Sequence, residues 1–216
     1  MSRLYEDGHR QLQDEFGSRN LADAVEQAAL STEISPADEA FIHSRDMFFL
    51  STVNQAGQPT VSYKGGAPEF VKVINPRTLI FPSYDGNGMF LSMGNIEVKS
   101  AVGLLFIDFE TPDRRRVQGD ATVHREHPML AAYPEADLLV EVAVSEIWVN
   151  CPRYIHRYAR VEESKYVPRS GTETPIAPWK RIEDLQPVLT EADRQKAGAA
   201  GLISADAYAA SLGSDL

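Results

Sequence analysis

Apolar side chains recur every three or four positions early in the chain: Leu4, Leu12 and Phe16, then Leu21, Ala24, Val25 and Ala28. That spacing lines one side of a helix, so residues 1–46 read as a helical arm followed by a leading helix. Ser35 can cap the leading helix, Pro36 suits its first turn, Asp38 holds the capping-box position, and Phe41 with Ile42 supply a short apolar face. From Met47 the period shortens to two, and β-branched and aromatic residues alternate with polar ones between turn-forming clusters. Strands are predicted over Phe48–Asn54, Thr60–Lys64, Phe70–Ile74, Thr78–Pro82, Val102–Phe109, Arg115–His124 and Leu138–Val149. A helical insert at Met89–Lys99 interrupts them. Turns centred on Gly57, Pro76 and Pro112 are too short for crossover helices, so the sheet over residues 47–160 is expected to be antiparallel and closed into a barrel.

Beyond Val161 the chain is rich in Pro and Gly around Val167–Pro178 and then predicts helices at Thr190–Ala197 and Ser204–Leu212, with Thr190 and Ser204 as N-caps. Residues 161–216 are expected to pack as an extension on the barrel or on a second subunit. The fold class is therefore mainly β with flanking helices.

Charge sharpens this division. The 216 residues carry a net −10, of which −6 falls on residues 1–46, −1 on 47–170 and −3 on 171–216. An acidic chain with no basic stripe is a poor partner for nucleic acid. A small phosphate ligand needs only two or three placed donors and stays open. Cys151 is the single cysteine, so neither an intrachain disulfide nor a thiolate-rich zinc site can form. The first ten residues interleave charges where a secretory leader needs an apolar run, and Ala101–Ile107 is too short to span a bilayer. A cytoplasmic protein with no membrane partner is expected.

No nucleophile elbow, Walker loop or cysteine pair is present. Asp85-Gly86-Asn87-Gly88 lacks a third glycine, since Leu91 stands in its place. His124 and His127 lack a nearby third ligand, so no metal is assigned. The more specific signal is Thr60-Val61-Ser62-Tyr63-Lys64-Gly65-Gly66. Strand alternation puts Thr60, Ser62 and Lys64 on one face, a hydroxyl beside an ammonium, and the two glycines then allow close backbone approach. Such a face suits an anion, and it equally suits a barrel corner with a solvated lysine. Ser83 and Asn87, flanking the loop into the Met89 helix, form a second phosphate-sized surface or simply a turn. Arg116, Gln118 and Asp120 share a strand face opposite Val117, Gly119 and Ala121, which suits a ligand groove, a subunit interface or a solvated face. No residue stands out as an acid, base or nucleophile.

Taken in order from Phe41 to Arg157, these stretches resemble the FMN-binding split-barrel flavoproteins related to pyridoxamine 5′-phosphate oxidase. The resemblance runs through Phe48-Phe49-Leu50-Ser51-Thr52-Val53, Ser62-Tyr63-Lys64-Gly65-Gly66, Leu79-Ile80-Phe81-Pro82-Ser83-Tyr84, Gly94-Asn95-Ile96, Val117-Gln118-Gly119-Asp120-Ala121 and Trp148-Val149-Asn150-Cys151-Pro152-Arg153. It implies a six-stranded antiparallel split barrel that forms a homodimer holding FMN between the subunits. By position it would set Ser62, Tyr63, Lys64 and Gly65 along the FMN, Ser83 and Asn87 near its phosphate, and Asn95 on the helix beside it. Arg116 and Gln118 would approach from a neighbouring strand, and Trp148 with Arg153 from the dimer-forming segment.

Gly88 and Met89 stand where those oxidases have two basic residues, which shifts phosphate neutralisation onto Lys64 and a partner arginine. The implied function is an FMN oxidoreductase acting on a small organic substrate or a nicotinamide. The other readings are a flavin-binding or flavin-sensing module without turnover, a barrel carrying a deazaflavin or haem, and a dimeric scaffold with an empty groove.

Overall fold

Local chemistry starts each helix where the pattern places it. A computed structural model describes residues 2–212. In it α1 (Asp7–Glu15) and α2 (Arg19–Ala29) form the arm, followed by a two-residue strand β1 (Leu30–Ser31) and the leading helix α3 (Pro36–His43). The Ser35 hydroxyl accepts from the Asp38 amide at 3.2 Å while the Asp38 carboxylate accepts from the Ser35 amide, a complete capping box with Pro36 in the first turn. Phe41 of α3 lies between two guanidinium groups, Arg45 at 5.0 Å and Arg115 at 4.5 Å from its ring centre, and Arg115 also pairs with Asp38 at 2.8 Å.

The strands follow as β2 (Met47–Val53), β3 (Pro59–Gly65), β4 (Lys72–Asn75), β5 (Thr78–Tyr84), β6 (Ala101–Asp108), β7 (Asp113–His124) and β8 (Ala136–Val149), with α4 (Leu91–Val98) inserted after β5. Every pairing is antiparallel, in the order β3-β2-β6-β7-β8-β5-β4, and β1 joins β8 beyond the end of β5. The expected class holds, a mainly antiparallel sheet flanked by helices at both ends of the chain and consistent with a split barrel; it has eight strands where six were expected, and it is not closed, because the edge strands β3 and β4 do not pair. The reason lies between those edges. Phe70 and Val71, predicted to begin a strand, are buried, with the Phe70 ring stacked 5.9 Å from Phe48, so β4 starts only at Lys72. Gly66 makes room for that ring, since a Cβ there would lie 2.5 Å from Phe70.

Phe48 is the hub of the core. Its ring also meets Phe81 at 5.0 Å and Phe106 at 5.1 Å, which ties β2 to β5 and β6, and Leu50, Leu104, Val117, Val140, Val142 and Ile147 extend the same layer. On β7 the predicted alternation holds: Val117, Gly119 and Ala121 are buried, and Arg116, Gln118 and Asp120 are exposed. The β7–β8 register slips by one residue between Gln118 and Gly119, a bulge that leaves Ser145 unpaired. The backbones are so close there that a Cβ on Gly119 would lie 2.3 Å from the Ala143 carbonyl oxygen.

The chain divides into two units, Met1–Val161 and Glu162–Leu216. The arm belongs to the first, through the β1–β8 pairing and an ion pair between Arg3 and Glu146. In the second unit, short 3₁₀ turns precede α5 (Glu191–Ala200) and α6 (Ala205–Ser211). Thr190 and Ser204 cap these helices as predicted, and the buried Lys180 ammonium pairs with Asp193 at 3.0 Å. Residues 213–216 of the expected tail lie outside the described residues. Among the described residues no helix is long and apolar enough to cross a membrane.

Replacing Phe48 with alanine removes the ring shared by three others and should cost about 3–5 kcal/mol of unfolding free energy. Urea denaturation measures this, and a loss below about 1 kcal/mol would remove Phe48 from its place as hub.

Candidate functional site

The register of β2 against β3 sets Thr60 opposite Thr52, Ser62 opposite Leu50 and Lys64 opposite Phe48. These β3 side chains therefore face the core side of the sheet, at its open edge, while Val61 and Tyr63 point to the exposed side. Helix α4 packs over this edge and joins it by hydrogen bonds. Asn95 Nδ2 donates to Thr52 Oγ1 at 3.0 Å and to Thr60 Oγ1 at 3.4 Å, the two threonine hydroxyls are 3.0 Å apart, and the Ser62 and Ser92 hydroxyls are 3.0 Å apart. Thr52, Ser92 and Asn95 are all buried.

Lys64 stands apart from this network. It is half-buried, burial lowers its basicity below the usual lysine range, and no acceptor among the described residues hydrogen-bonds or ion-pairs with its ammonium. A desolvated cation with no counter-charge is costly unless something else supplies one. The neighbouring glycines serve packing: the bare face of Gly65 is covered by the Tyr63 ring, as that of Gly66 is by Phe70.

Ser83 lies half-buried near the end of β5, from which residues 85–90 lead to α4. Asn87 is exposed on this loop, its Oδ1 accepting from the Met89 amide at 3.1 Å. The helix begins late, at Leu91, because Phe90 adopts a left-handed backbone (φ 46°). Met89, Phe90 and Leu91 are exposed, and no basic residue lies between Tyr84 and Val98.

Arg116, Gln118 and Trp148 lie on the opposite face of the sheet, where one registered row crosses five strands: Tyr63, Phe49, Leu105, Arg116 and Trp148, with Leu30 of β1 beyond. Arg153 follows β8 and is exposed. Within one chain the structure thus gathers Ser62, Lys64 and Asn95 on one face and Arg116, Gln118 and Trp148 on the other. The residues missed by sequence reasoning are Thr52 and Ser92. Ser92 sits three positions before Asn95 on α4, a spacing that shares a helix face and could have signalled it. His124 and His127 lie with rings 5.3 Å apart, and His127 Nδ1 accepts from the Met129 amide. Among the described residues no group of three His, Cys, Asp or Glu side chains could hold a metal.

The profile of the family described as pyridoxamine 5′-phosphate oxidase matches residues 34–150. The chain belongs to that family. The matched span runs from Ile34 through the end of β8, so both faces described above fall within the part that pyridoxamine 5′-phosphate oxidase family members share, and the arm lies outside it. No curated protein matches the chain. Among solved structures, it is similar to HupZ from Group A Streptococcus (16% identity, 58% of this chain and 99% of that one, TM-score 0.45). It is also similar to HutZ, the heme storage protein from Vibrio cholerae (18%, 54% and 94%, TM-score 0.40). A third is an FMN-binding protein from Syntrophomonas wolfei (12%, 66% and 96%, TM-score 0.40).

The unpaired Lys64 gives a stability prediction whose sign follows from its lowered pKa. The unfolded chain holds the lysine proton more tightly than the folded one, so stability rises as pH climbs through the folded value toward the ordinary 10.5, where the penalty vanishes. Lys64→Met should therefore raise the Tm near pH 7, and the gain should shrink above about pH 10. Thermal unfolding at both pH values checks it, and a Tm lowered at pH 7 would show that the ammonium has a partner.

Proposed function

We propose that this pyridoxamine 5′-phosphate oxidase family member binds FMN and, as a cytoplasmic homodimer, passes electrons between the flavin and a small organic substrate or a reduced nicotinamide. The observation that carries this reading is Lys64, a desolvated cation with no protein acceptor, beside the hydroxyls of Ser62 and Ser92 on the family-matched edge of the sheet. An anionic ligand would supply the missing counter-charge through a charge-assisted hydrogen bond.

The donor set suits FMN in kind. Lys64 meets negative charge, Ser62 and Ser83 offer hydroxyls, and the exposed side chains of Met89 and Phe90 offer apolar surface to a ring system. The Asn95–Thr52–Thr60 network holds α4 against β3 and so fixes where Ser62 and Lys64 stand. Because the loop of residues 85–90 carries no cation, phosphate charge falls on Lys64 and on an arginine from a second copy, for which Arg153 is the candidate. When bound, the flavin supplies the redox chemistry, and the protein orients it and limits its exposure to water.

An absorbance spectrum of freshly purified protein, with any released ligand identified by mass, tests the cofactor. Flavin bands and an FMN mass at one per chain support the reading. A haem Soret band, or a colourless protein that fails to bind added FMN, would sink it. Lys64→Ala should weaken FMN binding by about 1.5–3 kcal/mol, roughly tenfold to 150-fold, in a fluorescence titration. Anaerobic mixing with NADH or NADPH then separates an oxidoreductase, which bleaches the flavin within a turnover time, from a binding module, which stays oxidised.

A further inference from the structure

The acidic arm and the outer face of β7 and β8 border a cavity of about 530 Å³, open on one side and within the size range of small-molecule sites. Lys64, Ser62 and Asn95 are not among its lining residues. The polar groups that the arm brings to these walls have partners. Arg3 pairs with Glu146, Glu26 accepts from the Arg3 and Leu4 amides and from the Ser2 hydroxyl, and Glu6 at the rim caps α1.

Most of the groups left over are donors. Among the described residues nothing accepts from the Arg116 guanidinium, from the Gln118 amide or from the Trp148 indole N–H, and all three face this cavity from adjacent positions on β7 and β8. Asn150, two residues beyond Trp148 on the same face, also lines it, and its Oδ1 is shut off from water with no donor in reach. One uncompensated guanidinium, an indole and two amides call for a flat ligand with a single negative charge. Glu6 and Glu26 among the lining residues disfavour a dianion such as a phosphate monoester.

We propose that this cavity binds a small aromatic monocarboxylate, with its carboxylate on the Arg116 fork, its ring against Trp148, and a polar ring substituent within reach of the Gln118 amide. A guanidinium pairs with a carboxylate through two parallel hydrogen bonds, and an indole offers an apolar face beside an N–H. The site is separate from the proposed flavin site, on the other face of the sheet, and it assigns Arg116, Gln118 and Trp148 to a ligand of their own.

The test is isothermal titration calorimetry of the full chain with 4-hydroxybenzoate, before and after saturation with FMN. One site per chain is expected in both states, with weaker binding of benzoate and no displacement by inorganic phosphate. Arg116→Gln should weaken binding about tenfold or more, whereas Lys64→Ala should leave it unchanged. The Arg116 side chain is exposed and makes no hydrogen bond among the described residues, so its replacement should be tolerated. If Arg116→Gln does not fold, Arg116→Lys, which keeps the charge and loses the fork, should show the same loss in smaller degree.

Absent binding, binding indifferent to Arg116, or displacement by phosphate would overturn the proposal. Displacement by FMN would also overturn it, because the cavity would then be part of the flavin site. A protein that binds 4-hydroxybenzoate through Arg116 but never binds FMN would uphold this site while refuting the flavin reading.

Discussion

The structure depends on the packing of Phe48 against Phe70, Phe81 and Phe106. Those contacts fix β2 in the centre of the core and hold the β3–β4 connection over it. Because strand side chains alternate, fixing Phe48 inward also fixes its neighbour across the ladder, Lys64, toward the same side. The site is thus a by-product of core register. A lysine next to a buried phenylalanine at an open edge loses part of its water, and among the described residues no acid pairs with it in return.

Much of this was legible because it is local or periodic. The Ser35–Asp38 box, the caps at Thr190 and Ser204, and the alternation that exposes Arg116 and Gln118 each rest on a few adjacent residues whose chemistry allows one arrangement. What stayed hidden depends on contacts between distant segments. Phe70 and Val71 have the composition of a strand, yet their burial on Phe48 outweighs pairing, and no local pattern announces that. The glycines after Lys64 look like an invitation to a ligand in sequence, whereas in space Tyr63 and Phe70 fill them. Leu30 and Ser31 are too few to read as a strand until β8 is there to receive them. The candidate site was legible by halves: alternation identified each polar face correctly, but only the strand order shows that they lie on opposite sides of one sheet.

That opposition gives the two faces different physics. On the Lys64 side the polar groups are buried and bonded to one another through Asn95, so the surroundings of the lysine are stiff and poorly hydrated. On the Arg116 side the polar groups sit on the sheet surface and owe their shelter to an arm tied down by Arg3, Glu26 and two residues of β1. A ligand at the proposed site on the first face would meet a preformed edge, and one at the proposed site on the second would meet a covering held by few contacts.

The foothold of that arm is the irregularity between β7 and β8. Where the ladder skips Ser145, its carbonyl is left without a strand partner, and Arg3 reaches that oxygen at 3.4 Å while holding the next residue, Glu146. Beside the skip the two backbones lie so close that a side chain at Gly119 would meet the Ala143 carbonyl oxygen. A missing side chain in the middle of the sheet thus gives the beginning of the chain a second hold beside the β1–β8 pairing: where the register passes over Ser145, Arg3 reaches its carbonyl oxygen.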